Sequence, residues 1–198
     1  MAAIGKARVP NDAELKRLTT VSKAGPHGKR NLALIQFSFR LGLRAKEMAG
    51  LSVQDVMDDQ GRMREDVTLS ADITKGAKPR TLFLTHPQVR TALKEYLDDR
   101  REREGILFNR LAPLFKSQKC SRFSPNTMQQ LFHRLHHAAG LDGARSHSGR
   151  RWFATELISK GVDLKAVSVL MGHSSVSMTA QYAEDNPQRL RRIVADML

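Results

Sequence analysis

Hydrophobic positions recur at helical spacing through most of this chain and change to strict alternation in one place. Asn11 with Glu14 three residues on reads as a capping box, opening a helix that runs to about Val21. Lys23-Ala24-Gly25-Pro26-His27-Gly28 is a loop, and the crowded apolar segment Leu32 to Leu41 predicts a buried helix stopped at Gly42. Between Asp66 and Thr74 the period becomes two, with Val67, Leu69, Ala71 and Ile73 on one face and Asp66, Thr68, Ser70 and Asp72 on the other. That predicts a strand. A turn from Lys75 to Pro79 leads to a second strand from Arg80 to Leu84, so a small antiparallel sheet is expected.

Helical spacing then returns. Pro87 opens a helix with Val89, Leu93, Tyr96 and Leu97 inward, fading into the charged run Asp98 to Glu104, which reads as a solvated helix end. Residues 105–123 look irregular. Ser124 and Pro125 start another helix, with Met128, Leu131, Phe132 and Leu135 inward and Gly140 as its stop. Three short helices fit between Arg145 and Ala183: Gly161 ends the first, Asp163 caps the second and Gly172 stops it. Phe153, Leu157 and Ile158 form one apolar stripe, and Val167, Leu170 and Met171 another. Residues 1–10 lack periodicity and read as a flexible lead-in, whereas Leu190, Ile193, Val194 and Met197 mark a helical tail over 186–198. The predicted fold class is mainly α (α+β), multihelical with a small antiparallel sheet.

A chain of 198 residues is long enough for one substantial core, so one domain is the default. The 33 Lys and Arg against 20 Asp and Glu give a formal net charge of +13, an excess that suits a polyanionic partner but also fits a merely basic protein. Cys120 is the only cysteine, which excludes an intramolecular disulfide and a cysteine-rich zinc site. No apolar run approaches the ~18 residues of a membrane span, and the N-terminus lacks a signal-peptide core. A cytoplasmic protein with no membrane partner is expected.

Four polar residues make little sense as packing: His147, Arg150, His173 and Tyr182. His147 and Arg150 lie three apart at a helix start, beside a dipole end that favours an anion such as phosphate. His173 follows Gly172, so its imidazole projects from a sharp corner, and Tyr182 comes nine residues later. H-x-x-R, then G-H, then a tyrosine nine residues on resembles the tyrosine recombinase family of phage-integrase type. Upstream, the family pattern G-L-R-x-x-E is matched at Gly42, Leu43, Arg44 and Glu47, and Lys75-Gly76-Ala77-Lys78-Pro79-Arg80 resembles the family's β-hairpin lysine motif. Taken alone, each upstream match has a plain reading: an i, i+3 ion pair worth ~0.2–0.5 kcal/mol, and lysines in an exposed turn.

The resemblance covers residues 11–185 and implies an integrase-like catalytic domain that cuts and rejoins double-stranded DNA. It makes Tyr182 the nucleophile, Arg44, Arg150 and His173 the donors to the phosphate, His147 the base, Lys75 the acid and Glu47 a supporting residue. Lys78, Arg80 and Arg151 are expected to contact DNA. The scheme calls for no metal and no cofactor. It implies a homotetramer on paired sites, with a possible accessory DNA-binding protein and a place at the nucleoid. The family's separate N-terminal helical domain is expected to be absent, as in the short fimbrial phase-variation invertases, and the tail is a candidate for exchange between subunits. Gly149 and Arg151 stand where the family more often carries leucine and histidine.

Two other readings keep part of this chemistry, a type IB topoisomerase-like enzyme and a catalytically silent DNA-binding regulator. His133, His136 and His137 at i, i+3 and i+4 could in principle hold zinc, but no completing ligand is nearby, and they read better as polar residues facing DNA.

Overall fold

The computed structural model describes residues 7–74, 76, 78–119, 121–184, 191, 194 and 195. Its elements run α1 (Asp12–Ser22), α2 (Gly28–Leu41), α3 (Ala45–Gly50), α4 (Val53–Val56), β1 (Asp66–Leu69), β2 (Arg80–Phe83), α5 (Pro87–Glu104), a 3₁₀ turn (Gly105–Leu107), α6 (Pro125–Ala138), α7 (Ser148–Ser159), α8 (Leu164–Met171) and α9 (Ser177–Glu184). The two strands pair antiparallel, Asp66 opposite Phe83 and Leu69 opposite Arg80. Mainly helical architecture with a small antiparallel sheet is the predicted class.

The second helix is the axis of the core. Leu34, Ile35, Phe37 and Phe39 are buried on it, and being apolar almost all round it packs against α1, α3, α5 and α7 at once. Each such side chain contributes roughly 1.5–3 kcal/mol relative to exposure. The helix begins at Gly28, four residues before the predicted start, and ends at Gly42, whose φ of 63° is the left-handed conformation that closes a helix. A Cβ on Gly42 would fall 2.5 Å from the Phe153 ring, so glycine also lets α7 lie against this corner. A smaller apolar cluster joins α7, α8 and α9 through Ala154, Ile158, Val167 and Met171, with Tyr182 packed on its edge.

Several expectations need correction. The first strand stops at Leu69, because Ala71 and Ile73 keep the alternation but have no partner strand among the described residues; Ile73 instead covers Gly50. Within the expected lead-in, Val9 packs on the core and the Arg8 amide donates to the Gly143 carbonyl at 3.3 Å, while residues 1–6 lie outside the described residues. The charged end of α5 is not wholly solvated. Arg100 falls one turn after Tyr96, on the apolar stripe, and is 2% exposed, bonding the Pro113 and Leu114 carbonyls at 2.9 Å each and the Glu104 carboxylate. Most of the predicted tail lies outside the described residues. Among the described residues, no helix is long and apolar enough to cross a membrane.

Candidate active site

Arg44, Glu47, Arg80, Arg150, His173 and Tyr182 gather around the end of α2, the start of α3, the first turn of α7 and the ends of α8 and α9. Arg44 caps the start of α3 immediately after the corner that closes α2, and its amide donates to Glu47 Oε2 at 2.7 Å while Nη1 donates to Oε1 at 2.8 Å. Glu47 is fully buried. Burial works to raise its pKa, but Arg80, then the Arg44 amide and Arg150, hold it below the ordinary carboxylate range.

Arg80, expected to reach DNA, does not point that way. Its side chain is 8% exposed and folds back onto Glu47, Nη2 to Oε2 at 2.9 Å, with Nη1 donating to the Leu170 carbonyl at 2.7 Å. Burial follows from the space that a glycine leaves: a Cβ on Gly172 would collide with Arg80 Cδ.

Arg150 comes from the first turn of α7 and is nearly as enclosed, at 3% exposure. It donates to the Gly42 carbonyl at 2.6 Å and to the Met171 carbonyl, tying the end of α2 to the end of α8. Those bonds use two of its five N–H groups. Burial, then Arg44, pull its pKa down to about 9. The helix reaches this depth through Gly149, where a Cβ would collide with Ser38 Oγ and lie 2.7 Å from the Phe39 ring. His147 sits exposed at the N-cap of the same helix, three residues before Arg150.

His173 projects from the Gly172 corner, where φ is 59°. Its Nδ1 lies 2.8 Å from the Thr179 hydroxyl, and its ring is nearly parallel to that of Tyr182, at 14° and 6.1 Å between centroids. Desolvation, then Arg150, Arg44 and Arg80, lower its pKa to about 4, so it is neutral at pH 7. A Thr179 hydroxyl that donates to Nδ1 leaves the ring proton on Nε2, as a donor. The Arg151 guanidinium, expected at DNA, lies 5.8 Å over the Tyr182 ring.

A cleft of about 620 Å³ opens over this cluster, lined by Arg44, Thr74, Lys78, Arg80, Gly172 and His173 among others. Lys78 is exposed on its rim, and Lys75 lies outside the described residues. The three guanidiniums of Arg44, Arg80 and Arg150 stand against one carboxylate, Glu47, which pairs with the first two and is influenced through space by the third, so the cluster carries excess positive charge in a poorly hydrated place. Such a site favours an anion with several acceptor oxygens.

The trio on α6 does not belong here. His136 is 1% exposed, set between Phe39 and Phe132, while His133 and His137 face solvent. Among the described residues no group of three or more His, Cys, Asp or Glu could hold a metal ion. Sequence reasoning misses Thr179, although a polar residue one turn before Tyr182 on the same helix is a visible signal.

Residues 9–189 match the model of the family described as "Phage integrase family". The chain is 28% identical over 191 residues to tyrosine recombinase XerC of Pelobacter propionicus, covering 94% of this chain and 59% of that protein. It is 33% identical over 171 residues to tyrosine recombinase XerD of Yersinia pestis, covering 83% and 52%. The chain thus spans little more than half the length of these relatives. Among solved structures, XerA recombinase superposes with a TM-score of 0.76 at 24% identity, over 97% of this chain and 66% of that one, and shares the fold. XerH site-specific recombinase, bound to palindromic difH substrate in a post-cleavage complex, gives 0.72 at 27% identity, over 96% and 53%. With the polar cluster, the fold and a match over nearly its whole length in agreement, the chain belongs to the phage integrase family.

Proposed function

We propose that this chain is the catalytic part of a site-specific DNA recombinase that cuts and rejoins strands through Tyr182. One observation carries the reading: the guanidiniums of Arg44 and Arg80 pair with one buried carboxylate, with Arg150 enclosed close enough for that carboxylate to feel its charge, beside the stacked pair of His173 and Tyr182. The tyrosine recombinases XerC and XerD among its relatives, and XerH in a post-cleavage complex with palindromic difH substrate, support the class of reaction and duplex DNA as the partner.

In this reading the Tyr182 hydroxyl attacks a backbone phosphorus. A 3′-phosphotyrosyl bond forms, the bond to the 5′ oxygen breaks, and His147 takes the tyrosine proton. Arg44, Arg150 and the Nε2–H of His173 donate to the non-bridging oxygens, where negative charge grows; each such donor contributes ~10²–10³ in rate. Lys75 supplies a proton to the departing 5′ oxygen. Phosphoester is exchanged for phosphoester, so reversal by a 5′ hydroxyl rejoins the strand without an external energy source. Lys78, on the rim of the cleft, contacts the DNA backbone.

Residues 11–185 form the catalytic domain, and recombination of two duplexes engages four protomers, with 186–198 the segment exchanged between them. Such an enzyme works where the chromosome is, in the cytoplasm at the nucleoid. Strand exchange between two labelled duplexes tests the reading: recombinant product is expected, whereas relaxation of supercoils without exchange marks the topoisomerase-like activity instead.

A further inference from the structure

Arg80 directly follows the turn that bears Lys75 and Lys78, yet its guanidinium faces inward. One planar fork joins three elements: Nη2 and Nε reach Glu47 on α3, at 2.9 and 3.4 Å, and Nη1 reaches the Leu170 carbonyl in the last turn of α8, at 2.7 Å. A lysine has no such pair of directions to offer. Room for the fork exists because residue 172 has no side chain.

Both partners are one step from groups that face the cleft. Glu47 also holds Arg44, through the amide and through Nη1. If Arg80 were removed, a fully buried carboxylate would keep Arg44 as its single hydrogen-bonded guanidinium, drawing that cation away from the cleft. Leu170 lies two residues before Gly172, so its carbonyl anchors the corner from which His173 projects. The Lys46 ammonium, bonded to the Thr74 carbonyl at 3.2 Å, is a second tie between α3 and the start of the turn, and Thr74 closes that turn by bonding the Lys78 carbonyl at 2.8 Å.

We infer that Arg80 is a positioning residue of the phosphate site. It neutralises Glu47 from the side away from Arg44, which leaves the rest of the Arg44 guanidinium for the cleft, and it holds the corner that presents His173. It acts through those two residues and does not touch DNA. The inference rests on the strand-transfer reading.

The test is single-turnover cleavage of a nicked duplex cut from the flanks of the chain's own gene, with affinity for the same duplex measured across a salt series. Arg80→Met should lower the rate at saturating DNA by about 10²-fold while leaving affinity and its salt slope as in the parent. Arg80→Lys, which keeps the charge without the fork, should stay within about tenfold of Arg80→Met, and it supplies the same comparison if Arg80→Met does not fold. Adding Glu47→Gln to Arg80→Met should recover several-fold of the rate, because a neutral amide needs no second cation; denaturant midpoints of the single and double variants, expected to lie close together, separate this recovery from restored folding.

A salt slope shallower by about one, with the saturating rate unchanged, would overturn the inference and make Arg80 a backbone contact. Unaltered rate and affinity, or no recovery with Glu47→Gln, would also overturn it. A parent protein that binds the duplex and never cleaves it removes the strand-transfer reading itself, a failure distinct because it appears before any substitution.

Discussion

The Thr179 hydroxyl lies 2.8 Å from Nδ1 of His173, and Thr179 stands one turn before Tyr182 on α9. The helix that carries Tyr182, the proposed nucleophile, therefore also orients the His173 imidazole. Thr179 is fully buried, so Thr179→Val keeps its shape and removes the hydrogen bond. About 1–1.5 kcal/mol of orientation should be lost, slowing cleavage roughly tenfold at saturating DNA with affinity unchanged. Single-turnover kinetics against a DNA titration checks both parts.

Gly149 lets α7 approach α2 closely enough for Arg150 to bond the Gly42 carbonyl. Gly149→Leu installs the residue that the family resemblance leads one to expect there, and in this chain it should destabilise, because the new side chain meets Ser38 and Phe39. A loss of at least about 1–3 kcal/mol is expected from overpacking, read as a lower denaturant midpoint. Gly149→Ala should show a smaller loss of the same sign.

His136 makes stability depend on pH in a definite direction. Burial, against the Phe132 carbonyl one turn back, lowers its pKa to about 4, and neither ring nitrogen completes a hydrogen bond. The unfolded chain binds the proton near pH 6.5, so this contribution is whole above that pH and is lost as pH falls from about 6.5 towards 4. On the order of 3 kcal/mol is at stake. His136→Phe should flatten the acid limb of a plot of melting temperature against pH; an unchanged limb would show that the imidazole is hydrated or paired in solution. His173, also lowered to about 4 but half-buried, adds a weaker slope of the same sign.

Much of this fold and site is legible in the amino-acid sequence, and the parts that are not share a cause. The Asn11–Glu14 capping box forms as read, Glu14 N to Asn11 Oδ1 at 2.9 Å and Asn11 N to Glu14 Oε2 at 3.0 Å, because both partners lie within one turn. Gly42 and Gly172 end their helices for the same local reason. Arg80, by contrast, bonds residues 33 and 90 positions away, and no local pattern shows which way such a side chain turns. Residue type misleads at His136 and Arg100, although periodicity places them with Phe132 and Tyr96 on buried stripes. The motif from His147 to Tyr182 is legible as a set of residues. Its geometry depends on Gly149 and Thr179, whose importance emerges only from packing between helices.

Arg151 over the Tyr182 ring gives a graded expectation. A cation at 5.8 Å from the ring centroid contributes about 0.5–1 kcal/mol, so Arg151→Ala should slow cleavage a few-fold without abolishing it. Loss as severe as that of Tyr182→Phe would assign Arg151 a direct part in the chemistry. The comparison needs only the two variants under one set of conditions.

The central claim, that Tyr182 is the nucleophile, is tested most directly by covalent capture. The protein is incubated with nicked duplexes from the flanks of its own gene, built so that the cleaved fragment diffuses away, and then denatured and separated by size. The account predicts a band shifted by attached DNA that is lost in Tyr182→Phe while DNA binding persists. A shifted band that survives in Tyr182→Phe, or none from a parent protein that demonstrably binds the duplex, would contradict it.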